Sequence, residues 1–190
     1  MLNLLLFPVV AITLTANTAT VSWEDHASMP LPVQEIYPVL HQNTIVVAGG
    51  LSSELSGSAA PVTARVQHYS LSTQRWQDGI ALPEPRHHSY LVSVAGKLFS
   101  LGGFVVTEQG WWTNSRDILL LDETAGQWQK VAELPAPLSE AVATVIAEQV
   151  HIAIGRTATD ANNGQWRDNT DVSWHWVFDP DRFTFSAGAP

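Results

Sequence analysis

The 190-residue sequence contains no cysteine. Disulfides, thiolate metal sites and cysteine nucleophiles are therefore excluded. Positive charge is scarce. Nine Lys and Arg stand against eighteen Asp and Glu, the first basic residue is Arg65, and the two lysines are Lys97 and Lys130. Nucleic acid and anionic membrane surfaces require Lys/Arg patches, so neither is an expected partner. The longest apolar run is too short for a transmembrane helix, so no membrane insertion is expected. No helical period is sustained along the chain. There is no Ser-His-Asp order, phosphate loop or dinucleotide fingerprint either, since "SAAP" and "AIGR" are too short to count.

What is present is core-forming material. Aliphatic and aromatic residues make up 45% of the chain, and the length suits one domain or two small ones. The apolar stretch at residues 2–14, "LNLLLFPVVAITL", is followed by the small-residue run "TANTAT". Its length is that of a signal-peptide core, which makes residues 1–20 an expected export signal and the protein periplasmic or secreted. No Lys or Arg precedes the run and Pro8 interrupts it. The alternative is a hydrophobic first strand packed into a cytoplasmic domain.

The chain repeats. Paired glycines close "TIVVAGG" and "KLFSLGG", a third run reads "VHIAIGR", and Gly49, Gly102 and Gly155 are spaced by 53 residues. A second marker agrees: Trp23, Trp76 and Trp128 each precede a proline, Pro30, Pro83 and Pro135, by seven residues. Within each copy, short runs rich in β-branched and aromatic residues alternate with Gly, Pro, Asn and Ser. Four strands per copy are expected. In the second copy they fall at residues 88–94, 97–101, 117–121 and 127–132, with Ala95-Gly96 as the first hairpin turn.

A repeated four-stranded antiparallel unit of this kind resembles the kelch repeat, whose copies are the blades of a β-propeller. The residues that carry the resemblance are the paired glycines, "VQHYSLSTQRW" and "ILLLDETAGQW" before each fourth strand, and "LPEPR" after it. It covers Trp23 to Pro190 and implies an all-β fold with blades at about 33–83, 84–135 and 136–190. The third copy departs most, with Arg156 in place of the second glycine. Residues 21–28 are expected as an orphan outer strand, and Trp23, Trp76 and Trp128 as inter-blade packing. Three blades do not close a ring. The expectation is the front part of a six- or seven-bladed protein whose C-terminal blades follow, with ring closure by a second chain as the alternative.

Antiparallel connectivity gathers certain turns on one face. In register there, Gln34-Glu35, His87-His88 and Ser139-Glu140 each open an innermost strand. Glu35, His88 and Glu140 are candidates for a carboxylate–imidazole–carboxylate set at the channel mouth, for general acid/base work or a metal, or else form a hydrated polar rim. Arg86 and His87 join them as catalytic candidates; the alternative for Arg86 is a structural salt bridge. The long loops on the same face share Gly-x-Trp, at Gly110 and Trp112 and at Gly164 and Trp166. Trp111, Trp112, Asn114, Arg116, Arg156, Trp166 and Arg167 are the binding candidates, with Asn162, Asn163 and Gln165 between them. The same tryptophans are also suited to covering the blade tops.

Two function classes follow. The first is a binding module whose loop face holds a carbohydrate or protein partner. The second is a sugar-acting enzyme with acid/base residues at the channel mouth. The resemblance implies it because exported bacterial kelch proteins include sialic acid mutarotases. Galactose-oxidase-like copper enzymes also share the repeat, but they use a cysteine-linked tyrosine that this chain cannot make. No metal or other cofactor is expected. Intracellular scaffolding, as in many kelch adaptors, is weakened by the apolar N-terminus.

Overall fold

The computed structural model describes residues 21–55, 61–107, 112–159 and 165–188, with only the backbone of Trp166. The expected export signal, residues 1–20, and the candidates Trp111, Asn162 and Asn163 lie outside the described residues. The fold is three four-stranded antiparallel sheets with two short ribbons. The first sheet runs β1 (Val39–His41), β2 (Thr44–Ala48), β3 (Val66–Ser70) and β4 (Arg75–Asp78). After β5 (Arg86–His87) come β6 (Tyr90–Val94) and β7 (Lys97–Leu101), then a ribbon of β8 (Phe104–Val106) and β9 (Trp112–Asn114). The second sheet is completed by β10 (Asp117–Asp122) and β11 (Gln127–Glu133), while β5 pairs with the ribbon. The third sheet consists of β12 (Val142–Ile146), β13 (Gln149–Ala153), β16 (His175–Asp179) and β17 (Thr184–Ala187). Its ribbon is β14 (Arg156–Ala158) with β15 (Asn169–Asp171). Among the described residues no helix is long and apolar enough to cross a membrane.

The strands are near-continuous apolar runs in the middle sheet because both of its faces are covered. Side chains alternate across a strand. Leu91, Leu98, Leu119 and Trp128 pack against Val46 and Val66 of the first sheet and Leu82 of the connection that follows it. Their neighbours Val92, Phe99 and Ile118 pack against Val150, Ile152 and Phe178 of the third. Phe99 and Phe178, both fully buried, meet edge to face at 5.7 Å. The sheets therefore stack as successive blades, with the inner strands β1, β6 and β12 side by side. The outward faces of blades 1 and 3 are open. A largely apolar hollow of about 650 Å³ over blade 1 involves Ile45, Val47, Tyr69 and Trp76. On blade 3, Val142, Val145 and Ile146 are exposed.

The tryptophans divide along the same line. Trp128 is buried and its indole N–H donates to Ile80 O of the preceding blade at 2.8 Å. Trp76 repeats the bond to Ala27 O at 2.8 Å. Trp23, expected to pack likewise, is 92% exposed, because no blade precedes it among the described residues. Residues 21–28, expected as an outer strand, join no ladder. Each of the three sheets already has four strands of its own.

The paired glycines join consecutive blades. Gly50 N donates to Arg86 O, and Gly103 N to Leu138 O, both at 2.8 Å and both in the following blade. The second glycine of each pair also lies against its own blade's opening turn: a Cβ on Gly103 would stand 2.6 Å from His87 O and from Ser89 N.

The third copy is therefore one residue out of the expected register. Gly155 O accepts from Val172 N, as Gly103 O does from Ser115 N and Gly50 O from Thr63 N. Gly155 is thus the second glycine, and Ile154, at φ 52°, occupies the place of the first, beside Gly49 at 71° and Gly102 at 54°. Arg156 falls outside the pair. A β-branched residue in the left-handed region is strained by about 1–2 kcal/mol. It is tolerated because Ile154 is half exposed. Ile154→Gly is expected to raise stability by about 1 kcal/mol, seen as a Tm increase of about 2–4 °C. An unchanged or lower melting temperature would refute the reassignment.

Candidate functional site

Each blade opens with a turn that holds one non-glycine residue in the left-handed region: Glu35 at φ 59°, His88 at 52° and Glu140 at 53°. The residue before it is pinned by pairing, Gln34 to Leu51, His87 to Phe104 and Ser139 to Arg156. That pairing explains why the inner strand of blade 2 begins at Tyr90 and not at the expected residue 88. His88 N donates to Glu35 O at 2.9 Å instead, tying two neighbouring turns together. Left-handed side-chain residues are uncommon and persist where the surroundings fix them. Three equivalent ones turn their side chains toward the line where the blades meet.

They converge on one cavity of about 360 Å³ whose wall includes Glu35, His87, His88, Phe104, Trp112 and Glu140. His88 Nε2 lies 2.6 Å from Glu35 Oε2, and His88 Nδ1 lies 2.7 Å from His87 Nδ1. His87 is 1% exposed, stacked on Phe104 at 5.1 Å and touched by the edge of Trp112 at 4.3 Å. Burial, with a smaller contribution from His88, pushes its pKa down to about 3, so it is neutral. Burial and then the charges of Glu140 and Glu35 raise the phenol of nearby Tyr37 above its ordinary range. The fields of both carboxylates thus overlap at that point.

Four sequence candidates, Glu35, His87, His88 and Glu140, are therefore brought together, and Trp112 joins them from the ribbon. Arg86 is not among the cavity residues. Fully buried, it spans the blade junction, with Nη1 donating to Gly102 O at 3.2 Å and Nη2 meeting Glu84 at 2.8 Å. Asn114 is buried and donates to Ser139 Oγ at 2.8 Å, holding the ribbon to the next turn. Arg116 lies on the blade edge, donating to Leu134 O at 2.9 Å. Arg156 donates to Asp171 at 3.1 Å and Asn169 O at 2.9 Å, while its Nη1 comes within 4.0 Å of Glu140. Arg167 is exposed beside Asp168 at 3.8 Å. Trp166 opens a 3-10 turn, Trp166–Asp168. Leu51, Phe104 and Tyr37 escaped the sequence reading. The signal for the first two was register, since each directly follows a glycine pair. Among the described residues no group of three His, Cys, Asp or Glu is arranged to hold a metal ion.

No family model matches the chain. Kelch-like protein 41b of Danio rerio is 34% identical over 86 residues, 45% of this chain and 13% of that protein. Kelch-like protein 40 of Homo sapiens is 32% identical over 96 residues, 48% of this chain and 14% of that protein. The Kelch-like protein terF of Aspergillus terreus is 24% identical over 136 residues, 70% of this chain and 29% of that protein. The chain spans less than a third of the length of these curated relatives. A solved structure of YjhT superposes with a TM-score of 0.68 at 15% identity, over 86% of this chain and 53% of that one. The fold is a kelch-type β-propeller. The sequence relatives support the kelch family, and the cavity lies where propeller blades meet.

Proposed function

We propose that this kelch-type propeller is a binding module, exported by its N-terminal segment, that holds a carbohydrate or protein ligand in the cavity between its blade-opening turns. The observation that carries this reading is the convergence of Glu35, His88 and Glu140, one from each blade, on a single cavity. Backbone strain repeated three times around one hollow is the pattern of a preorganised site. Trp112 and Phe104 offer aromatic surface, and the carboxylates offer hydrogen-bond acceptors for hydroxyl or amide groups. The Kelch-like relatives favour a module that docks partners. Glycan and peptide arrays test the reading. A ligand is expected whose affinity falls about tenfold or more with Trp112→Ala, as for loss of a stacked aromatic anchor. A ligand indifferent to Trp112→Ala and Glu140→Gln would place binding elsewhere.

The sugar-acting alternative, of the sialic acid mutarotase type, is favoured by one feature. Glu35, His88 and His87 form a continuous hydrogen-bonded series suited to moving a proton. Exchange NMR of sugar anomers decides: turnover lost with Glu35→Gln favours the enzyme, and binding without turnover favours the module.

A further inference from the structure

We infer that the cavity selects a protonated primary amine, an inference that rests on the binding reading above. Its wall brings together the carboxylates of Glu35 and Glu140 with the rings of Phe104 and Trp112, and no Lys or Arg is among its described lining residues. The neighbouring stretches 108–111 and 160–164 contain no basic residue either. Carboxylates paired with aromatic faces attract organic cations through charge and ring quadrupole together.

The hydrogen bonds leave this wall open to such a group. Glu35 accepts from His88 Nε2–H, and His88 Nδ1 and His87 Nδ1 share a single hydrogen bond. His87 Nε2 is buried without a hydrogen-bond partner. Glu35 and Glu140 both line the hollow, with side chains 43% and 28% exposed. Arg156 approaches Glu140 only to 4.0 Å, and its Nε and Nη2 are committed to Asp171 and to Asn169 O. The acceptors that the cavity wall offers are the carboxylates of Glu35 and Glu140. A ligand group with several N–H donors and a positive charge complements them; an anion or an ether oxygen does not. The volume of about 360 Å³ admits an alkylammonium chain or a single amino sugar.

The test uses the whole chain and follows the Trp112 indole N–H signal, assigned by its loss in Trp112→Phe. Butylammonium, pentanol and pentanoate are titrated as short alkyl chains that differ in the charge of the head group. Saturable shifts are expected with butylammonium alone, and Glu140→Gln, checked for an unchanged melting temperature, is expected to weaken it about tenfold. Nα-acetyl-lysine methylamide and glucosamine then distinguish a lysyl side chain from an amino sugar as the source of the amine. Equal binding of pentanol or pentanoate, or no response to butylammonium, overturns the inference. If an array ligand without an amine still depends on Trp112, the binding module survives and only the amine selectivity falls. If no ligand depends on Trp112, both fall.

Discussion

Gly103→Ala is expected to destabilise the protein by about 3 kcal/mol or more, lowering Tm by about 10 °C. Two costs coincide at this position. The backbone stands at φ +87°, and an added Cβ would lie 2.6 Å from His87 O and Ser89 N, both of them backbone atoms. Neither can yield without moving the turn that carries His88. Gly96→Ala separates the two costs. Gly96 is also left-handed, at +74°, but its Cβ would meet nothing within 4 Å, so a loss of about 1 kcal/mol is expected. Thermal melts of the two variants side by side measure the difference. Similar values for both would mean that the turn does not rest on the strand end. Gly103→Ala is expected to weaken ligand binding as well, because it displaces the His87-His88 turn.

A second large effect concerns acid. His87 is held neutral with a pKa of about 3, against an ordinary value of 6.5. Between those values the unfolded chain binds a proton that the folded chain refuses, so stability falls as pH drops from 6.5 toward 3. The amount is on the order of 4 kcal/mol at the acid end. Burial pushes the pKa values of His41 and His68 down too, and they add in the same direction. His87→Phe keeps a ring against Phe104 and removes the titrating group. Its urea midpoint is expected to decline less steeply below pH 6.5 than that of the parent. Parallel pH profiles for the two proteins would show that His87 is not the group held neutral.

The extent to which the sequence displayed this architecture depended on how local each determinant was. Lys97–Leu101 was readable because a hairpin turn, a β-rich run and a glycine pair bound it on both sides. The convergence of Glu35, His88 and Glu140 was readable because it follows from register alone. Other features were hidden because they depend on a neighbouring blade. Trp23 carries the same local pattern as Trp128, yet one is exposed and the other buried, and the difference lies in what packs against each. Ile154 hid the true register of the third copy, since a glycine count cannot see a side chain held at positive φ. The role of Arg86 was open between cavity and salt bridge. Only its total burial and its contacts with Glu84 and Gly102 O show which one the fold uses. Trp112 joined the cavity through the pairing of β8 with β9, a ribbon that had read as an open loop.

The absence of cysteine allows a direct measurement of how the blade turns are arranged. Glu35→Cys with Glu140→Cys places single thiols in the turns of blades 1 and 3, and a short bis-maleimide should join them within one chain at low protein concentration. Glu35→Cys with Glu123→Cys, the latter at the far end of blade 2 beside the His41 hollow, should not be joined. Efficient intramolecular linkage of the first pair alone is the predicted result. Failure to link it, or equal linkage of both pairs, would contradict the convergence of the three blades on one cavity.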